Sequence, residues 1–178
     1  DTSDADEFVN CVKYLGKSWG GINLEDIAAP ECFIIEQKLS EKLDIPVFHD
    51  DQHGTAIVAT AGVLNALAIT GRDIKNFKMV VNGAGAAGIA CVELLKAMGM
   101  PSNNVIMCDR KGVISKDRTN LDQWKSAHAV ETPHKTLKDA LNGADIAFGL
   151  SAKGAFTNEM MLQWQTQILK LVLMSLEK

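Results

Sequence analysis

FKMVVNGAGAAGIACVELLKAMGMPSNNVIMCD, residues 77 to 109, passes from a strand-like run through a glycine-rich turn into a long apolar helix, then out into a second strand. That order is a βαβ unit, which implies a parallel sheet. Gly83, Gly85 and Gly88 fall between strand and helix, the context in which a GxGxxG spacing binds a dinucleotide. Gly83 allows the tight turn, Gly85 lets backbone approach a pyrophosphate, and Gly88 permits close helix-to-strand packing. The amides of Ala86 and Ala87 then point at phosphate from the helix N-terminus. The plain alternative is a glycine-rich turn in an α/β domain that binds nothing. Asp109, ending the second strand, argues against it, because an acid there accepts hydrogen bonds from the adenosine ribose hydroxyls and favours NAD. Its neighbour Arg110 would instead receive the 2′-phosphate of NADP, so both cofactors stay open.

Downstream, a short helix at Leu137–Leu141 leads into the apolar run 144–150, read as another parallel strand. Ser151, Lys153 and Gly154 follow at its carboxyl end, where ligands of open α/β sheets sit. Upstream, residues 55–69 form a long apolar helix closed by Thr70 and Gly71. Before it come a helix over 3–15, a break at Gly20 and Gly21, an extended piece at 22–25, and a helix with its stripe on Phe33, Ile34, Ile35 and Leu39. A brief strand at 45–48 follows. The expected fold is α/β, a Rossmann-type doubly wound parallel sheet (residues 55–178) preceded by a helical metal-binding segment of a second domain (residues 1–54).

Two acidic pairs lie in that first segment: Glu25 and Asp26 in NLEDIAAPE, Asp50 and Asp51 in FHDDQHGTA. Adjacent carboxylates repel, so a fold that joins two such pairs needs a cation or solvent between them. Oxygen-only ligands select Mg²⁺ or Mn²⁺ over zinc. For either pair alone, a solvated turn is the plain alternative. His49 and His53 flank the second pair at i, i+4, so a zinc or iron site, and with it a zinc hydrolase, competes. The preceding strand and the following Gly54 oppose a regular helical presentation of both imidazoles. Glu31 and Glu36 read as helix-start and surface charges.

The 178 residues are 47% hydrophobic and carry a formal charge of −4, enough apolar material for a sizeable core and no basic cluster for nucleic acid. Cys11, Cys32, Cys91 and Cys108 sit singly, as buried reduced thiols of a cytoplasmic protein do. The longest apolar windows are broken by Thr60, Gly62 and Asn65 and read as too short for a bilayer, so no membrane is expected. The acidic opening DTSDADEF does not resemble a signal peptide.

Over about residues 5 to 160, GGINLEDIAAPECFIIE, IPVFHDDQHGTAIV, VVNGAGAAGIACVELL, CDRKGVI and GLSAKGAFT resemble the malic enzymes in order and spacing, in the form typical of prokaryotes and some protists. The resemblance implies oxidation of L-malate with NAD or NADP, decarboxylation to pyruvate and CO₂, assistance by Mg²⁺ or Mn²⁺, and a homo-oligomer. It implies metal ligands at Glu25, Asp26 and Asp51, Asp50 beside the reacting centre tuning the general base, and Thr55 and Ser151 near the cofactor. The family's basic Lys and acidic Tyr fall upstream of the matched segment. Lys13, Tyr14 and Lys17 stand too close to GGINLED to be those residues and read as helix surface. After TNEM, the stretch MLQWQTQILKLVLMSLEK lacks the family's Asn-Pro motif, which implies truncation or a shifted frame. It reads as an apolar tail unable to complete the sheet, prone to aggregate or to pack on a partner. An enzyme fragment and a non-catalytic dinucleotide-binding module or partner subunit are the two functional readings.

Overall fold

Asp4 opens the first helix, α1 (Ala5–Gly16), by accepting hydrogen bonds from the amides of Asp6 and Glu7, donors that a helix start leaves free. Then come β1 (Ile22–Leu24), α2 (Glu31–Lys42) and β2 (Val47–His49). The computed structural model, which describes residues 2–164 and the backbone of Leu171–Met174, pairs β1 with β2 in parallel, Ile22 opposite Val47 and Leu24 opposite His49. Val9, Leu24, Ile35 and Leu39 form a small core between these elements. Tyr14 is exposed, as expected of helix surface.

A π-helical turn, Asp50–Gly54, runs without a break into α3 (Thr55–Thr70). This join corrects the expectation that the apolar windows are too short for a bilayer: Asp50–Thr70 is one helical run of 21 residues, and an 18-residue stretch within it has a mean hydropathy of 1.4. Its first turn carries Asp50, Asp51 and His53, and one side, Ala56, Ala59, Val63 and Leu67, lies in the main core. Ile57, Val58 and Ile69 are exposed on the other. Long apolar core helices pass the same length test.

The remaining elements are β3 (Met79–Asn82), α4 (Ala86–Ala97), β4 (Val105–Asp109), β5 (Gly112–Val113), α5 (Gln123–Ser126), α6 (Leu137–Leu141), β6 (Ile146–Gly149), α7 (Asn158–Gln163) and β7 (Leu171–Met174). They build a sheet of order β5-β4-β3-β6-β7. Strand β3 is buried throughout, with Met79 and Val81 in a core shared with α3 and α4, and Val80 in a second core with Ala140, Leu141 and Trp164. Alternate residues of a strand face opposite sides, so both faces of the sheet must be covered. The buried Trp164 indole donates to the Ala144 carbonyl at 2.7 Å, giving its polar edge a partner.

Three expectations change. The edge strand β5 runs antiparallel to β4, because Arg110 and Lys111 make a two-residue hairpin whose Lys111 amide donates to the Asp109 carboxylate. The tail adds a parallel strand to the sheet, with Ile146 opposite Leu171 and Gly149 opposite Met174, rather than failing to extend it. Cys11 is exposed, on the outer side of α1. The other three cysteines are buried, and burial pushes the Cys91 and Cys108 thiols up to about 12, which keeps them protonated.

Candidate cofactor and cation site

At the carboxyl ends of β3, β4 and β6 lies a cleft of 840 Å³, lined on one side by Gly83, Gly85, Asp109 and Ser151 and on the other by Ala29 and Pro30. Gly83 has φ +125°, and a Cβ there would stand 2.1 Å from the Leu150 carbonyl oxygen. A Cβ on Gly88 would stand 1.9 Å from the Gly83 carbonyl oxygen, so turn, helix and strand touch through backbone alone. Around Gly85 nothing lies within 4 Å of an added Cβ, which leaves bare peptide facing the cleft. Ala86 and Ala87 form the first turn of α4, whose leading amides have no acceptor within the helix. Together with the helix dipole they make an anion-accepting end.

Asn82, the last residue of β3 and buried, donates from Nδ2 to Ser151 Oγ at 3.0 Å, and its carbonyl accepts from the Leu150 amide at 2.8 Å. These bonds tie the loop after β6 to the glycine turn. Asn82 escaped the sequence reading; its one signal was a polar residue ending an otherwise apolar strand. Thr55 begins α3 and is not among the residues lining this cleft.

Both carboxylate oxygens of Asp109 are engaged. Arg118 donates to Oδ1 and Oδ2, each at 2.9 Å, and the Lys111 amide donates to Oδ1 at 2.9 Å. Burial pushes the Asp109 carboxyl up, but the Arg118 and Lys111 hydrogen bonds outweigh it and hold the group below its ordinary value. The acid expected to receive ribose hydroxyls is thus paired with a guanidinium that sequence spacing did not single out. Arg110 and Lys125 line the same cleft.

At the other end of the site, the parallel pairing of β1 and β2 delivers Glu25–Asp26 and Asp50–Asp51 from neighbouring strand ends. The Asp26 amide donates to Asp51 Oδ2 at 2.8 Å, and Asp26 has φ +60°, a left-handed conformation that Asp tolerates better than most residues. Glu36 accepts from Gln52 Nε2 at 3.1 Å and pairs with His53 Nε2 at 2.6 Å. It is therefore not the surface charge expected: its side chain is 16% exposed and clamps the π-helical turn onto α2. The same pairing draws His53 away from any shared ion with His49, which is fully buried.

Among the described residues, no three His, Cys, Asp or Glu side chains are grouped closely enough to hold a metal ion. The backbone brings the acidic pairs to one place, but their side chains converge neither on the expected Mg²⁺ or Mn²⁺ triad nor on a zinc pair. In chemistry, the all-oxygen donor set still fits a hard divalent cation, and beside it lies a buried imidazole without a hydrogen-bond partner among the described residues.

The family model described as malic enzyme, NAD binding domain, matches residues 52–176. Over 162 residues the chain is 67% identical to an NADP-dependent malic enzyme of Rhizobium meliloti, covering 90% of this chain and 21% of that protein. It is 54% identical to an NADP-dependent malic enzyme of Halomonas elongata, covering 89% and 38%. The structure of an NAD-dependent malic enzyme of Thermotoga maritima superposes with a TM-score of 0.84 at 43% identity, covering 92% of this chain and 44% of that one. For the Entamoeba histolytica malic enzyme the TM-score is 0.86 at 32% identity, covering 96% and 37%. The chain thus spans less than half the length of each of these relatives, and with the family model matching most of its residues it belongs to the malic enzyme family.

Proposed function

We propose that this chain carries the cofactor and cation end of an enzyme that oxidises L-malate with NADP and decarboxylates the product to pyruvate and CO₂. The observation that carries the reading is the sharing of one cleft: Ala29 and Pro30, of the LEDIAAPE segment, stand across from Gly83, Gly85 and Ser151. Ala29 stands three residues after Asp26, which supports placing a group bound through the acidic pairs near a dinucleotide on the glycine turn. Residues 1–54 belong to a substrate and metal domain in this reading, and 55–178 to the dinucleotide domain.

When bound, the nicotinamide would supply the acceptor for the C2 hydride of malate; a base would take the hydroxyl proton, and the electron pair left on C3 as the β-carboxylate departs as CO₂ would take up a proton to give the methyl group of pyruvate. Glu25, Asp26 and Asp51 would hold Mg²⁺ or Mn²⁺, which supplies Lewis-acid polarisation of the C2 oxygen when bound. The amides of Ala86 and Ala87 hold the pyrophosphate, and Asn82 fixes Ser151 at the cleft. Asp50, beside Asp51, would tune the general base; Thr55, which starts α3 outside the lining of this cleft, is assigned to the cofactor by the family resemblance alone.

NADP rather than NAD is supported by three features. Arg118 neutralises Asp109, Arg110 and Lys125 add positive charge in the same cleft, and the Rhizobium and Halomonas relatives are NADP-dependent. A cytoplasmic homo-oligomer completes the proposal, supported by the family resemblance and by four free cysteines.

The test is a titration of NADP and of NAD into the chain with Mn²⁺ present, followed by addition of L-malate while absorbance at the reduced-nicotinamide band is recorded. Tighter binding of NADP is expected. Equal or tighter NAD binding overturns the cofactor preference, and no binding of either overturns the dinucleotide site. Binding without reduction identifies a dinucleotide-binding module or partner subunit, the second reading.

A further inference from the structure

His49 ends β2 with its side chain at 0% exposure, and neither ring nitrogen has a hydrogen-bond partner among the described residues. An imidazole desolvated without a partner costs free energy, and native folds leave few such groups unless a site uses them. The ring is not far from an acceptor: Nδ1 lies 3.9 Å from Asp51 Oδ2. That oxygen also accepts from the Asp26 amide at 2.8 Å, across the β1–β2 pairing in which Leu24 stands opposite His49. Two of the three proposed cation ligands, Asp26 and Asp51, are thus joined through one carboxylate oxygen, with a buried donor waiting just outside hydrogen-bond range.

We infer that His49 is a positioning residue for the divalent-cation site, its Nδ1–H donating to Asp51 when that carboxylate turns toward the ion. The gap to close is about 1 Å, the difference between the observed separation and an ordinary N–H···O bond. Carboxylates and imidazoles that ligate metals are oriented by such outer hydrogen bonds, and here the usual order is reversed, with imidazole holding carboxylate. The inference rests on Glu25, Asp26 and Asp51 being the cation ligands.

The experiment is a Mn²⁺ titration of the purified chain, read from the electron paramagnetic resonance signal of free Mn²⁺, together with thermal melting in chelator. Both readouts are independent of turnover. The variants are H49M, which keeps the bulk and removes the nitrogens, H49Q, which keeps an N–H donor, and D51N. Wild type is expected to bind Mn²⁺ saturably and D51N to bind poorly. H49M should weaken binding by about 10- to 100-fold, with H49Q retaining most of it. In chelator H49M should melt no lower than wild type, because it removes unpaired buried nitrogens.

Wild-type affinity in H49M, or equal loss in H49M and H49Q, overturns the role of His49 while leaving the cation site standing. A lower melting point or failure to fold in H49M also overturns it, since the ring would then be doing structural work. No saturable binding by wild type, or none lost in D51N, overturns the cation site itself.

Discussion

The glycine-turn end and the acidic end of this molecule are built on different principles. At the first, the recognising groups are peptide amides, and Gly83, Gly88 and Leu150 fix them by backbone contact. At the second, the groups are carboxylates on exposed side chains, joined by one backbone hydrogen bond from Asp26 to Asp51. A site made of main chain is complete when the fold is complete. A site made of side chains keeps rotamer freedom until a ligand removes it, which is why four acids delivered to one place do not yet form a metal group.

The sharpest way to break this contrast is within the glycine turn. In G88A the new methyl meets the Gly83 carbonyl oxygen 1.9 Å away, so helix and strand must separate. The expected cost is on the order of 3 kcal/mol, with dinucleotide binding lost as a consequence of the unfolding, read by urea denaturation. G85A should do the opposite, since its backbone at φ −97° suits alanine and the space around it is open. Its stability should change by less than about 1 kcal/mol, while NADP affinity drops at least tenfold because the methyl occupies the approach of the pyrophosphate. Equal stability losses in the two variants would show that the turn is not divided into a packing side and a binding side.

Arg118 makes the one side-chain decision at that end. In R118M the Asp109 carboxylate loses its guanidinium and presents a free charge beside Arg110. The ratio of NADP to NAD affinity should fall by about 30-fold, about 2 kcal/mol, as a freed carboxylate repels a 2′-phosphate and accepts ribose hydroxyls. An unchanged ratio would place cofactor choice elsewhere in the cleft.

These residues also show what sequence alone carries. The βαβ unit, the long α3 helix and the glycine turn are legible because hydrophobic period and glycine spacing are local. Arg118 is not, because its partner is nine positions away across a hairpin whose antiparallel edge strand occupies only two residues. Glu36 reads as surface charge for the same reason: its partners Gln52 and His53 arrive through a π-helical turn that has no simple periodic signature. The acidic pairs are visible as motifs, whereas the buried state of His49 between them follows from strand pairing rather than from HDDQH itself.

Glu36 tests whether the acidic end depends on this clamp. E36A removes the acceptor of both Gln52 and His53 and should destabilise the chain by about 1.5 kcal/mol in urea, leaving NADP affinity within about twofold of wild type. A large loss of NADP affinity without loss of stability would mean that the two ends are coupled through the π-helical turn.

The smallest effect concerns whether a side-chain group can nonetheless tune the backbone-built end. His128, which follows α5, is 4% exposed; its Nδ1 faces the Lys96 ammonium on α4 at 2.9 Å and its Nε2 faces Glu93 at 3.2 Å. Burial, and then the Lys96 charge, hold its pKa below the ordinary value. The folded protein therefore prefers neutral His128, with Nδ1 accepting from Lys96. Above the unfolded pKa of about 6.5 this arrangement costs nothing in proton binding. As pH falls below that value the unfolded chain takes up a proton that the folded chain refuses, so stability is lost until the folded pKa is reached. The urea midpoint should accordingly drop more steeply between pH 7.5 and 5.5 in wild type than in H128Q, which cannot titrate there. Parallel slopes would mean that the imidazole charges as easily in the fold as in water, and that the packing of α4 against α5 is insensitive to it.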